Sequence, residues 1–148
     1  VLPELLKDFY IIHLCGKGNL DESLIGTEGY AQFDYASSEL TDMLALADIA
    51  ISRAGANSIC ELLALHKPNI LIPLPAAASR GDQILNARSF ERLGYSKVIE
   101  EEQLTDSLLL DEIKDLYKNK EHFIEKMSQS KHNDSIGQIV NMLCEYAK

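Results

Sequence analysis

The chain has 148 residues, of which 46% are hydrophobic and 25% charged, proportions that fit one folded domain with a real core and exclude a disordered chain. Its formal net charge is −9, which opposes binding to a nucleic-acid phosphate backbone and broad adhesion to anionic lipid. Cys15, Cys60 and Cys144 are far apart and make no zinc spacing with His13, His66, His122 or His132, so a reduced intracellular compartment is the simplest reading.

Residues 2–9 read as the end of an amphipathic helix. The compact apolar run 10–15, closed by Gly16 and Gly18, has the length and flanks of a buried strand. Residues 19–29 are polar and read as a loop, and 30–35 as a short alternating strand. Ser38 is a good cap for a helix reaching Ala47. Strands follow at 48–52, 69–74 and 96–99, separated by helices at 55–65 and 82–93, the second stopped by Gly94. Residues 104–148 carry two or three amphipathic helices. Strands alternating with helices predict right-handed βαβ units, a parallel sheet and a single α/β domain.

In open α/β sheets ligands bind beyond the carboxyl ends of the strands. Two loops qualify. Residues 52–58 join a strand to a helix through small residues, so a ligand can approach the backbone and the free N–H groups of the helix start, which suit a diphosphate. Glu61, one turn on, can accept two hydrogen bonds from a ribose diol. The same loop could equally be a tight turn at Gly55 followed by an acid near a helix start. In residues 73–83, Pro73 and Pro75 end the strand, and Asp82, Gln83 and Asn86 stand within about one turn. Asp82 and Asn86 share a face at i, i+4, and vicinal sugar hydroxyls need such a set. Asp82 is expected to cap its helix in either case; alternatively it does only that, while Gln83 and Asn86 lie exposed.

Taken together, the stretch 47–61, Pro68, the strand end at Leu71-Ile72-Pro73 and the run 82–87 closely resemble the MurG family of glycosyltransferases, family 28. The likeness is strongest over residues 48–94. It implies a Rossmann-like parallel sheet with helices on both faces, the C-terminal half of a two-domain GT-B enzyme. By that resemblance the donor is UDP-GlcNAc. Glu61 would hold the ribose, while Ala56, Asn57 and Ser58 would lie near the diphosphate. Asp82, Gln83 and Asn86 would face the sugar, and the backbone near Tyr35 and Ala36 would read the uracil. Arg53 occupies the family's arginine and is expected among the donor-binding residues, in a role the sequence does not give.

The family commonly has two glutamines where Asp82 and Gln83 stand, and residues 19–29 and 36–38 align poorly. By the resemblance, the glycine-rich loop that opens the family's domain and the acceptor domain with its proposed base are expected to lie outside residues 1–148. The expectation is therefore a fragment that binds donor without turning it over. The resemblance further implies a lipid-linked muramyl-pentapeptide acceptor, membrane contact through the other domain and a place on the inner face of the plasma membrane. No cofactor or metal is called for. Two alternatives stay open: a UDP-sugar-binding subunit of another GT-B transferase, or a sugar-nucleotide epimerase-like or non-catalytic nucleotide-binding module.

Other conspicuous residues have plainer readings. His13 in an apolar strand reads as a core histidine; His66, His122 and His132 read as solvated. Cys60 has no histidine near it in sequence and reads as a small buried residue. Asp21, Glu22 and residues 100–102 read as solvated surface.

Overall fold

The computed structural model describes residues 1–130; His132, Cys144 and the end of the predicted helical tail lie outside the described residues. In chain order the elements are α1 (Leu2–Leu5), β1 (Ile11–Leu14), β2 (Tyr30–Phe33), α2 (Glu39–Leu46), β3 (Ala50–Ser52), α3 (Ala56–Ala64), β4 (Asn69–Leu71), α4 (Ala76–Ser79), α5 (Asp82–Arg92), β5 (Ser96–Val98), α6 (Asp106–Lys118) and α7 (Lys120–Ser128). Short 3-10 turns occur at Glu22–Leu24 and Glu101–Gln103.

The central unit is a three-stranded parallel sheet in the order β3-β4-β5, with Ile51 opposite Ile70 and Ile70 opposite Lys97. The middle strand is buried along its whole length, as a strand covered on both faces must be. Alternation sends successive side chains to opposite faces. Ile70 packs with Leu5 of α1, Ile99, and Ile113 and Leu116 of α6. Leu71 packs on the other side with Ala54, Ile59 and Leu62 around α3, and Ala87 of α5. The helices that follow β3 and β4 therefore share one face, as two right-handed crossovers advancing in one direction require. The α/β architecture, with parallel strands between helical layers, is the one the sequence implies.

The rest of the sheet departs from expectation. β1 and β2 form a separate parallel pair, with Ile12 opposite Ala31 and Leu14 opposite Phe33. β1 is not the buried strand its composition predicts: Ile11 packs against the α1–α6 core, but Ile12 and Leu14 remain 39% and 41% exposed. Alternation puts these two on the opposite face of the pair. His13 is likewise exposed, not buried, and its Nδ1 lies 2.8 Å from the Tyr30 hydroxyl. Cys60 is exposed as well, because α3 turns Ile59, Leu62 and Leu63 inward.

Two expected helix caps are absent. Ser38 already has helical backbone angles, φ −63° and ψ −29°, and makes no capping bond; the Glu39 carboxylate instead accepts from the Ser37 N–H at 3.3 Å. Gly81, not Asp82, is the cap residue of α5, at φ +85°, a left-handed conformation that glycine adopts without steric cost. Where the cap works as chemistry dictates, at α6, Thr105 Oγ1 accepts from the Leu108 N–H at 3.2 Å.

β5 is tied to α6 by Lys97, whose ammonium contacts both Glu112 and Asp115. The hydrogen bond from Lys97 holds the Asp115 carboxyl below its usual range. A depressed folded-state pKa stabilises the fold above the unfolded carboxylate pKa of about 3.9 and loses that effect as pH falls through the lower folded value. Urea midpoints of the wild type and Asp115→Asn should thus separate near pH 7 and converge in acid. A gap independent of pH would contradict this linkage. Leu116, fully buried between α6 and the sheet, should cost about 2–5 kcal/mol when cut to alanine, measured by urea unfolding; a loss below about 1 kcal/mol would contradict the packing described.

Candidate functional site

Parallel pairing gives β3 and β4 a common carboxyl edge, and both loops singled out in the sequence leave from it. The ladder runs to that edge, where the Ile72 N–H donates to Ser52 O at 2.9 Å and the Ile99 N–H donates to Leu71 O at 3.0 Å. Beyond it the chain has to turn into α3 and into the α4–α5 segment.

The first loop is short. Arg53 is exposed, Ala54 is fully buried, and Gly55 is the cap residue of α3. No side chain caps this helix, so N–H groups of its first turn, at Ala56, Asn57 and Ser58, lack intrahelical partners. Ala56 and Asn57 are exposed and Ser58 is half-buried. Gly55 has φ −65° and ψ 142°, ordinary extended backbone open to any residue, and a Cβ built on it would come no nearer than 4.0 Å to Ser58 Oγ. The turn itself therefore does not require glycine. What its bareness provides is open space over the helix start, which suits an anion. Glu61 is exposed one turn further along.

The second loop is more constrained. Ser79 Oγ donates to Leu74 O at 3.1 Å, closing α4 against the strand end. Arg80 at φ +56° and Gly81 at φ +85° then reverse the chain into α5. Asp82, its first residue, is exposed. Gln83 is half-buried and its Oε1 accepts from the Leu74 N–H at 3.1 Å, a bond that does not use its amide nitrogen. Asn86 is also half-buried, and its Nδ2 donates to Ala54 O at 3.0 Å.

That last bond joins the two loops. A carbonyl of the first is held by a side chain from the second, and α3 and α5 already share the core around Leu71. Glu61 and Asp82 consequently stand on neighbouring helices of the same sheet face. Arg53 turns its guanidinium along the edge: Nη1 donates to Ile72 O at 3.2 Å and to Glu101 Oε2 at 2.8 Å. Ala36 is set apart from these residues in sequence, buried in the turn between β2 and α2.

Residues 100–102 are less idle than sequence reading implies. Glu101 pairs with Arg53, and Glu100 pairs with Arg88 of α5, which also contacts Glu91 at 2.7 Å. Three acids in a row give no hint of their partners, since the arginines lie 48 and 12 residues away.

Removing the link between the loops should expose its value. Ala54 O is buried, so Asn86→Ala leaves it without a partner at a cost of about 1–3 kcal/mol, measurable by urea denaturation. A change under about 0.5 kcal/mol would show that the bond does not hold the loops together.

Comparison with known proteins gives a consistent result. Residues 2–139 match the glycosyltransferase family 28 C-terminal domain. The chain is 59% identical over 143 residues, 97% of its length, to a UDP-N-acetylglucosamine–N-acetylmuramyl-(pentapeptide) pyrophosphoryl-undecaprenol N-acetylglucosamine transferase of Clostridium perfringens, of which it covers 40%. It is 55% identical over 148 residues to a protein of the same name from Lachnospira eligens, covering 42% of it. A third relative of that name, from Geobacillus thermodenitrificans, is 53% identical over 147 residues, with 41% covered. The chain thus spans about 40% of the length of the curated relatives it matches.

Proposed function

This chain belongs to the family of glycosyltransferase family 28 C-terminal domains, and from that premise we propose that it binds the UDP-GlcNAc donor for an inverting hexosyl transfer to a lipid-linked muramyl-pentapeptide. Support comes from the names carried by its relatives and, above all, from one structural observation: the bare start of α3 and the start of α5 rise side by side from one sheet edge, joined by Asn86.

In this reading the N–H groups of Ala56, Asn57 and Ser58 take the diphosphate and the Glu61 carboxylate accepts from the ribose hydroxyls. Asp82, Gln83 and Asn86 face the sugar, with Asn86 contributing the amide oxygen that its bond to Ala54 leaves unused. The backbone around Ala36 meets the uracil. The acceptor hydroxyl oxygen attacks the anomeric carbon from the face opposite the diphosphate. The bond from that carbon to the phosphate oxygen breaks, and its electron pair leaves with UDP. The hydroxyl proton passes to a base outside this domain. Hydrogen-bond donors already aimed at the diphosphate stabilise its developing charge without reorganising. We assign the acceptor, the base and a further strand with a glycine-rich loop to polypeptide beyond this domain. Membrane contact at the cytoplasmic face belongs to that part as well; none of the described helices is long and apolar enough to cross a membrane.

Calorimetry with UDP tests the reading. The domain should bind UDP with a dissociation constant near the millimolar range, about −4 kcal/mol, and Glu61→Ala should weaken it about tenfold or more. Gly55→Ala is the sharper probe. Because the backbone there is ordinary and the space open, it should change stability by less than about 1 kcal/mol while clearly weakening UDP binding. Folded wild-type protein that ignores UDP, or a Gly55→Ala variant that binds it unchanged, would overturn the assignment.

A further inference from the structure

We infer that Arg53 is a positioning residue of this site, not a ligand of the donor, and that Glu101 is the carboxylate that holds it in place. The inference rests on the donor-site reading above and assigns a role to two residues that it leaves without one.

Arg53 follows β3 directly, Ile72 follows β4, and Glu101 begins the turn after β5. These are the carboxyl ends of three neighbouring strands. A single nitrogen, Nη1, carries two N–H groups, and the structure gives each an acceptor: Ile72 O at 3.2 Å and Glu101 Oε2 at 2.8 Å. The side chain is therefore a strap laid across the edge of the sheet. It lies just beyond the last ladder hydrogen bonds, Ile72 N–H to Ser52 O and Ile99 N–H to Leu71 O.

Its neighbour in sequence is pinned from the other side. Ala54 is buried and its carbonyl receives Asn86. With the Arg53 side chain fixed at one end and the Ala54 carbonyl at the other, the direction in which Gly55 leads into α3 is set. The donor-binding N–H groups follow that direction. The Arg53 and Glu101 side chains are 48% and 41% exposed, and exposed pairs contribute little to overall stability. The consequence of the strap is thus geometric: it aims a helix start. Two of the five guanidinium N–H donors, both on Nη1, are thereby directed along the edge to a carbonyl and a carboxylate.

The test is a double-mutant cycle read by UDP calorimetry, with exchange of the Ile59 amide, which donates to Gly55 O at 3.0 Å, as a second readout that needs no ligand. Arg53→Ala and Glu101→Ala should each weaken UDP about two- to fivefold, and the double variant should be no worse than either alone. Both should speed exchange of the Ile59 amide. Glu102→Ala, the same charge change one residue away, should alter neither readout. If Arg53→Ala costs far more than Glu101→Ala, and costs as much again in the Glu101→Ala background, Arg53 is a direct ligand and the inference is wrong. It is equally wrong if Glu101→Ala leaves Ile59 exchange unchanged. Wild-type protein that fails to bind UDP would instead sink the donor reading, and the strap would then stand or fall on amide exchange alone.

Discussion

Parallel pairing of β3 with β4 is the constraint on which the rest of the structure depends. It sends two chain segments out of one edge, and right-handed crossovers return both helices to one face. Everything that gives the site its shape follows from that. Leu71 can serve α3 and α5 together, Asn86 can reach Ala54, and Arg53 can reach past Ile72 to Glu101. An antiparallel or differently ordered sheet would not bring the helices that carry Glu61 and Asp82 to one face beside one edge. In the proposed donor reading, this edge offers unpaired N–H groups for a diphosphate, and exposed carboxylates and half-buried amides for hydroxyls.

The division between structural and ligand-facing groups within single residues is the less obvious lesson. Gln83 uses its oxygen to hold Leu74, and Asn86 uses its nitrogen to hold Ala54. Each side-chain amide has a donor and an acceptor end, so one end can fix the loop while the other remains for a ligand. A carboxylate only accepts, so it could take the place of the Gln83 oxygen toward Leu74 but not of the Asn86 nitrogen toward Ala54. Position 82, where the side chain is exposed and makes no capping bond, has no such duty to the fold.

The order β3-α3-β4-α5-β5 is legible in the sequence because each element is bounded by a residue with a physical reason to stop it: Pro68, Pro73, Gly94. The two loops are legible as strand-to-helix turns at one sheet edge because small residues and prolines interrupt an apolar run just before a helix. β1 is not, since apolar composition states what a strand prefers and says nothing of which face meets a core; Ile11 finds one while Ile12 and Leu14 do not. His13 misleads for the same reason. The cap of α5 is misread because residue type favours Asp82, whereas the turn after Arg80 demands positive φ and so selects Gly81. The Arg53–Glu101 strap has no local signal at all, being a contact between residues 48 apart that only the folded sheet edge creates.

The most direct measurement of the central claim is a titration of isotope-labelled protein with UDP-GlcNAc, followed by amide chemical shifts. The account predicts that the largest changes fall together on the starts of α3 and α5, at Ala56, Asn57, Ser58, Asp82 and Gln83, with one common affinity. Changes confined to one of the two helices, or centred on the opposite edge around Asn69 and Ser96, would contradict a single site built from both loops.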